Sequence, residues 1–450
     1  MMKASSRLLY RLLVTTMCLP GSANHLCAQK SFEKLSASER QLTSINATGS
    51  KRFTEEAIAA ASGLQIGTAV IEDDLKKASR RLGDTGAFSD VGYTFSYSSE
   101  GTKVVFQVTD TEKFVPAHFE DFVWFSDADL VHRIKQSTPL FDGSLPLSGN
   151  MADQVSDTLQ AMLVENAIPG QVEYLREGAA DGPVRSIVYK VSNILITVHN
   201  IEFTGAGPGE QSALEEVAKS LPEREYSRTR LEAFAQHQLL PVYHARGYLK
   251  AIFGEPVPKV VKQPAAESDE GVRNQTVVDV TFAVTPGQQY RLKSLEWSGN
   301  HEFSTDVLQK MVRAPLGQPA NSVLLSDNLK DVQKLYGSRG YVTTTIKADA
   351  SYDDAADTVA IVLNVSEGPV YHMGDLEFRG LDNSLTAKLR NAWKIRPGEV
   401  YDATYLSEYL PQARKLLPPT LDWDVSSHVT ANVREKTVDI DLIYSVKAPK

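Results

Sequence analysis

The spacing of apolar positions changes period at regular intervals along the chain. In residues 42–48, Ile45 and Ala47 alternate with polar neighbours, as a half-buried strand requires. The period then lengthens. A helix capped by Thr54 is predicted to stop at Gly63. After the turn Leu64-Gln65-Ile66-Gly67, a second helix sets Ile71, Leu75, Ala78 and Leu82 on one face. Gly83 and Gly86 end it, and Phe88 opens the next element. Val91, Tyr93, Phe95 and Tyr97 alternate again, Glu100-Gly101 turns the chain, and residues 104–108 return as a hairpin partner. The local reading is strand, two helices, two strands.

That order recurs. A strand at 292–297 closes at Gly299-Asn300, Phe303-Ser304 begins a helix, and Leu316-Gly317 repeats the Ile66-Gly67 turn. A second helix carries Leu325, Leu329, Val332 and Tyr336, with Ser326 as its expected cap; Arg339-Gly340-Tyr341 ends it, and strands at 341–348 and 359–365 follow. Another copy opens before Gly205, passes a helix around Leu231 and Phe234, shows Arg246-Gly247-Tyr248 and closes on Val278, Val280, Phe282 and Val284. A polar insertion, residues 262–275, lengthens its hairpin loop. The last copy opens before Gly380, turns at Arg396-Pro397-Gly398 and has Leu417-Pro418-Pro419 where the others have Gly-aromatic. Between 110 and 194 a degenerate copy is expected: a strand at 119–125, a helix bearing Val155, Leu159 and Leu163, Asn166-Ala167-Ile168 in place of Gly-aromatic, and a strand at 186–191. Repetition at roughly 80 residues marks an array. The expected fold class is α+β: five β-α-α-β-β modules, each a three-stranded mixed sheet covered by two helices, at 41–113, 114–193, 194–287, 288–369 and 370–446. Each sheet keeps a free edge, which invites backbone pairing.

The ends and the charge narrow the classes. Residues 1–23 read as a signal peptide: Lys3, Arg7 and Arg11 precede a short apolar run broken by Pro20, and Gly21-Ser22-Ala23 offers small residues for cleavage. Residues 24–40 read as a linker. The apolar run is too short to span a bilayer, and no later stretch approaches a spanning helix. The expected location is the periplasm, soluble or peripheral to the outer membrane. Net charge is −9, which repels phosphate backbones and argues against nucleic acid. The two cysteines, Cys18 and Cys27, lie in or beside the leader, leaving no disulfide framework.

No catalytic, metal or cofactor site is expected. Gly205-Ala206-Gly207-Pro208-Gly209 misplaces the third glycine of a dinucleotide fingerprint, and Pro208 lacks an N–H a phosphate would use, so it reads as a turn. His237 and His244 lack a third ligand nearby, and Pro241 intervenes. His301 beside Glu302 reads as a turn. Asp353-Asp354 and Glu267-Ser268-Asp269-Glu270 read as solvated loops without calcium-loop spacing. No small-molecule substrate is indicated.

Glu367-Gly368-Pro369-Val370-Tyr371 leading to Leu376-Glu377-Phe378-Arg379-Gly380 resembles the junction between POTRA (polypeptide-transport-associated) domains. So do Thr285-Pro286-Gly287-Gln288-Gln289-Tyr290 leading to Gly299-Asn300, and Arg339-Gly340-Tyr341. The array is similar to the periplasmic part of BamA/TamA-type outer-membrane assembly factors. The resemblance implies a central third strand and no catalytic residue. It implies partners too: unfolded outer-membrane polypeptides and assembly-complex subunits, held partly by strand addition along the second-strand edge. On this chain those edges carry Val91, Tyr93 and Phe95; Tyr248, Ala251 and Phe253; and Tyr341, Val342, Thr344 and Ile346. Such factors continue into a membrane barrel, for which the residues after 446 leave no room. The expectation is a chaperone, scaffold or docking subunit, with a separately encoded β-barrel as one candidate partner; the alternative is a rigid spacer or docking subunit that binds no client.

Overall fold

A computed structural model describes residues 35–179, 182–262 and 275–446. The leader, most of the linker and the 263–274 part of the expected insertion lie outside the described residues. Two compact units result. One holds residues 35–202 with Ser220–Glu232 and Pro256–Thr281; the other holds Phe203–Lys219, Ala233–Glu255 and the chain from Phe282 onward.

The described residues form five sheets, each roofed by helices and called a layer below. In the first layer, β1 (Leu42–Thr48), α1 (Glu55–Ser62), α2 (Glu72–Asp84), β2 (Phe88–Ser98) and β3 (Gly101–Asp110) form the order β1-β3-β2. β1 runs parallel and β2 antiparallel to the central β3. The expected Thr54 cap accepts from the Ala57 amide at 3.2 Å, and Gly63 stops the helix at φ +75°.

The second layer comprises β4 (Phe114–Phe119), α3 (Asp127–Ser137), β5 (Ser144–Pro146), α4 (Met151–Glu165), β6 (Gln171–Gly178) and β7 (Val184–Ser192), in the order β5-β4-β7-β6. The opening strand therefore ends at Phe119, where the sequence pattern would begin it. Phe122 and Val123 are both buried in successive turns, which strand alternation forbids. Ala167 does take the glycine's part: it ends α4 at φ +53°, and Ile168 is buried.

The third layer comprises β8 (Leu195–Thr204), α5 (Pro208–Ala218), α6 (Arg228–Phe234), a π-type stretch Ala235–Leu239, α7 (Leu240–His244), β9 (Ile252–Phe253), β10 (Val257–Lys262) and β11 (Gln275–Thr285). β9 and β10 both pair with β11, split by Gly254-Glu255-Pro256. Pro208 sits in the first turn of α5, so the Gly-Pro run after Gly205 is a strand-to-helix turn.

The fourth layer is β12 (Arg291–Ser298), α8 (Thr305–Met311), α9 (Ser322–Gly337), β13 (Thr345–Asp353) and β14 (Thr358–Ser366), ordered β12-β14-β13. α9 starts a turn earlier than Ser326 suggested, because the Asn321 side chain accepts from the Leu324 amide at 2.8 Å. The fifth layer is β15 (His372–Arg379), α10 (Asn383–Ala392), α11 (Tyr405–Leu416), β16 (Trp423–Asn432) and β17 (Thr437–Val446), ordered β15-β17-β16. Alternate residues of the central strands (Val104, Phe106 and Val108; Val359, Ile361, Leu363 and Val365; Val438, Ile440, Leu442 and Tyr444) lie in the cores beneath the helices.

The glycine ending each of four opening strands has a single cause. Gly49, Gly205, Gly299 and Gly380 have φ of +79° to +99°. A Cβ on any of them would sit 2.0–2.3 Å from a carbonyl oxygen of the central strand, so no other residue fits.

Cores are shared unevenly. The first two layers form one continuous buried cluster from Leu35 to Val191, whereas the fourth and fifth have separate clusters. Among the described residues no helix is long and apolar enough to cross a membrane.

Candidate functional site

Among the described residues each layer has one protected and one open sheet edge. The segment between the two helices folds back onto the opening strand, giving the bridges Gln41–Ala69, Thr197–Glu225, Arg291–Pro319 and His372–Val400. Gly67, Gly317 and Gly398 donate amides to Leu42, Leu292 and Met373 carbonyls at 2.7–2.8 Å. In the second layer the same contact grows into the strand β5. The opening strand is thus partly covered, and the open edge is the outer side of the second strand: β2, β13 and β16 end their sheets among the described residues.

The backbone of these edges has a definite direction. The Ser79 hydroxyl of α2 donates to the Val91 carbonyl at 3.3 Å, and the Arg414 guanidinium of α11 donates to the Trp423 carbonyl at 3.4 Å. Carbonyls of the helix-facing residues therefore point away from the central strand. In an L-peptide strand the side-chain face fixes the direction of N–H and C=O, so the same holds for the equivalent row Ile346, Ala348, Ala350 and Tyr352 of β13.

Val91, Tyr93 and Phe95 lie on β2 as expected, on the face toward α2. Burial pushes the Tyr93 phenol up; Glu72 adds to this and Lys76 opposes it. Of the other predicted edge residues, Phe253 is on β9 and Ile346 on β13. Tyr248, Ala251, Tyr341, Val342 and Thr344 are not on paired strands. Each stretch is a turn, with the Ala251 amide donating to Tyr248 and the Thr344 amide to Tyr341. The cause is packing. Tyr248 and Tyr341 place their rings edge-on against Tyr243 and Tyr336, at 5.9 and 6.0 Å, and Val342 packs on the fifth core. Only after those anchors can a strand begin. Sequence reasoning missed the β16 edge, ten residues in unbroken register with β17. Its signal was the alternation Trp423, Val425, Val429, weakened by Ser427.

The Gly-aromatic turns serve as joints. The Tyr290 amide donates to the Gly247 carbonyl at 2.8 Å, and the Tyr371 amide to Gly340 at 2.8 Å. A Cβ on Gly247 would meet the Tyr290 oxygen at 2.7 Å, and one on Gly340 the Tyr371 oxygen at 2.8 Å. Beside the first joint, the hairpin loop of β13 and β14 reaches back. Asp354 accepts from Lys250 at 2.8 Å and from the Tyr290 hydroxyl at 2.6 Å. The Lys250 ammonium lies 4.7 Å from the Tyr352 ring centroid and 5.2 Å from that of Tyr290. The hydrogen bond to Asp354, with Tyr290 beside it, holds Lys250 above its ordinary range, and Asp354 is lowered by its own bonds to Lys250 and the Tyr290 hydroxyl. Asp353-Asp354 is thus a structural tie.

The Glu-Gly-Pro signature has its own task. Glu367 accepts from the His301 amide at 2.6 Å, the Glu302 amide at 2.8 Å and the Tyr336 hydroxyl at 3.0 Å, tying the loop after the opening strand to the end of the central strand. Asp110 does the same in the first layer, for the Lys51 and Arg52 amides. His301 thus acts through its backbone. Among the described residues no three His, Cys, Asp or Glu side chains gather as a metal site.

Repeated small sheets with a central third strand, a helical roof and one edge left open among the described residues define an α+β repeat protein. Residues 290–368 match the POTRA family model, described as a surface antigen variable number repeat. A protein of Treponema pallidum (strain Nichols) named "Putative outer membrane protein assembly factor" is 26% identical over 220 residues, 47% of this chain and 25% of that relative. The chain therefore spans about a quarter of the curated relative it matches. Among solved structures, Haemophilus influenzae BamA POTRA3-5 is 23% identical, covering 56% of this chain and 97% of its own, with a TM-score of 0.43. Haemophilus influenzae BamA POTRA4 is 28% identical, covering 18% and 97%, with a TM-score of 0.18.

Proposed function

We propose that the chain is a periplasmic scaffold of outer-membrane protein assembly, its five layers being POTRA modules whose open edges hold extended client segments by strand addition. The supporting observation is the row Ile346, Ala348, Ala350 and Tyr352. Its backbone faces outward, and β13 is exposed at nearly every position. Main-chain pairing gives affinity with loose sequence preference. Several weak edges in tandem raise the effective concentration of a long client. Family membership of residues 290–368 and the assembly-factor relative support the same setting.

The test is capture of unfolded outer-membrane polypeptide by the full chain and by Ala350→Pro. Proline there removes an outward N–H and spares the inward ladder. One lost hydrogen bond at about 1 kcal/mol lowers capture about fivefold. Unchanged capture, with circular dichroism intact, removes the β13 edge from the reading. The glycine-tight joints favour one alternative, a stiff docking spacer without clients, which predicts no capture by any form.

A further inference from the structure

A second cluster lies in the first unit, away from the open edges. Residues 220–232 belong to the same compact unit as the second layer. The seat is built by the turn after β4. Glu120 accepts from the Ser227 hydroxyl at 2.7 Å, the Thr229 amide at 2.9 Å and the Thr229 hydroxyl at 2.7 Å. Arg228 pairs with Asp127 at 2.6 Å, with its side chain 16% exposed. Tyr226 is buried beside them.

Asp121 has no such partner. Its Oδ1 is buried and makes no hydrogen bond among the described residues, although its neighbour Glu120 accepts three. The groups acting on it come from each packed element: Glu120 on its own turn, Lys190 on β7, and Glu225 and Arg230 on the docked segment. Tyr226, buried and itself acted on by Asp121, completes the surround. A charge on Asp121 would be both desolvated and flanked by two carboxylates.

We propose that the seat of residues 225–230 on the 120–127 turn is a proton-controlled clasp, firm while Asp121 is neutral and loosened once it is charged. Burial, with Glu120 and Glu225 adding, pushes the Asp121 carboxyl up to about 7, while Lys190 and Arg230 oppose. A raised carboxyl favours the closed form most at low pH. The advantage is lost as pH climbs from the ordinary carboxylate range to about 7, and is then constant.

Hydrogen exchange of residues 225–230 in the full chain, corrected for intrinsic rates, reads the clasp. Protection is expected to fall between about pH 5 and 7, by up to about tenfold per unit, and to level off above about pH 8. Asp121→Asn should remain protected across that range. Glu225→Gln should move the levelling point down. A wild-type profile that is flat, or that Asp121→Asn reproduces, overturns the proposal. If Asp121→Asn fails to fold, the carbon-13 titration of the wild-type Asp121 carboxyl decides. A midpoint in the ordinary carboxylate range overturns the clasp, and one near 7 that coincides with the protection change upholds it.

Discussion

Gly340 and Gly398 share a φ of +85° but not an environment. An alanine Cβ at 398 meets nothing within 4 Å. At 340 it would meet the Tyr371 oxygen at 2.8 Å and the Val370 and Val400 methyls at 2.9 Å. Gly398→Ala should therefore lose only the left-handed backbone cost, about 1–2 kcal/mol. Gly340→Ala adds overpacking of about 1–3 kcal/mol, because a carbonyl and two methyls must move together. The total is a large share of a typical domain stability. Urea unfolding followed by tryptophan fluorescence, together with exchange of the Tyr371 and Ala403 amides, measures both. Those amides donate to Gly340 and Gly337, at 2.8 and 3.0 Å, so the Gly340 variant should expose them and the Gly398 variant should not. Equal losses within about 0.5 kcal/mol would refute the claim that the Gly-aromatic turn is a joint rather than a helix terminator.

Two further outcomes are expected. Glu367→Ala should cost about 1–3 kcal/mol through lost charge-assisted hydrogen bonds. Burial raises the Glu367 carboxyl, but the Glu302 and His301 amides and the Tyr336 hydroxyl outweigh it, so its pKa is lowered. Its contribution is thus present above the ordinary carboxylate range and lost on acidification through the folded value, a slope that urea midpoints against pH should show in wild type and lose in Glu367→Ala. Ala167→Gly should stabilise the first unit by up to about 1 kcal/mol, since φ +53° suits glycine. A lower urea midpoint would contradict that.

Much of the fold was legible because two local rules act at each repeat. Alternation marked β2, β14 and β17, and the glycines after the opening strands marked where backbone and central strand nearly touch. The open edges were legible less well. A glycine followed by an aromatic looks like the start of a strand, yet Tyr248 and Tyr341 spend the next residues anchoring their rings, and the ladder starts at Ile252 and Thr345. The second layer misled for a related reason. In Phe119 to Phe125 hydrophobicity is high without a period, and the chain satisfies it with turns around Phe122, not with a strand. Long-range partners such as Lys250 with Asp354, or Glu120 with Thr229, leave no trace in local spacing.

The unbroken buried cluster of the first two layers has a mechanical meaning. Phe53 touches both Phe88 and Phe114, at 5.6 and 6.0 Å, and Arg52 lies 3.9 Å over Phe114 while pairing with Asp142. Cutting the chain between the two would expose apolar surface on both halves, so the two layers should melt together. A tug on the β2 rim would be passed on as strain to α4 and β7 instead of being absorbed by a swivel.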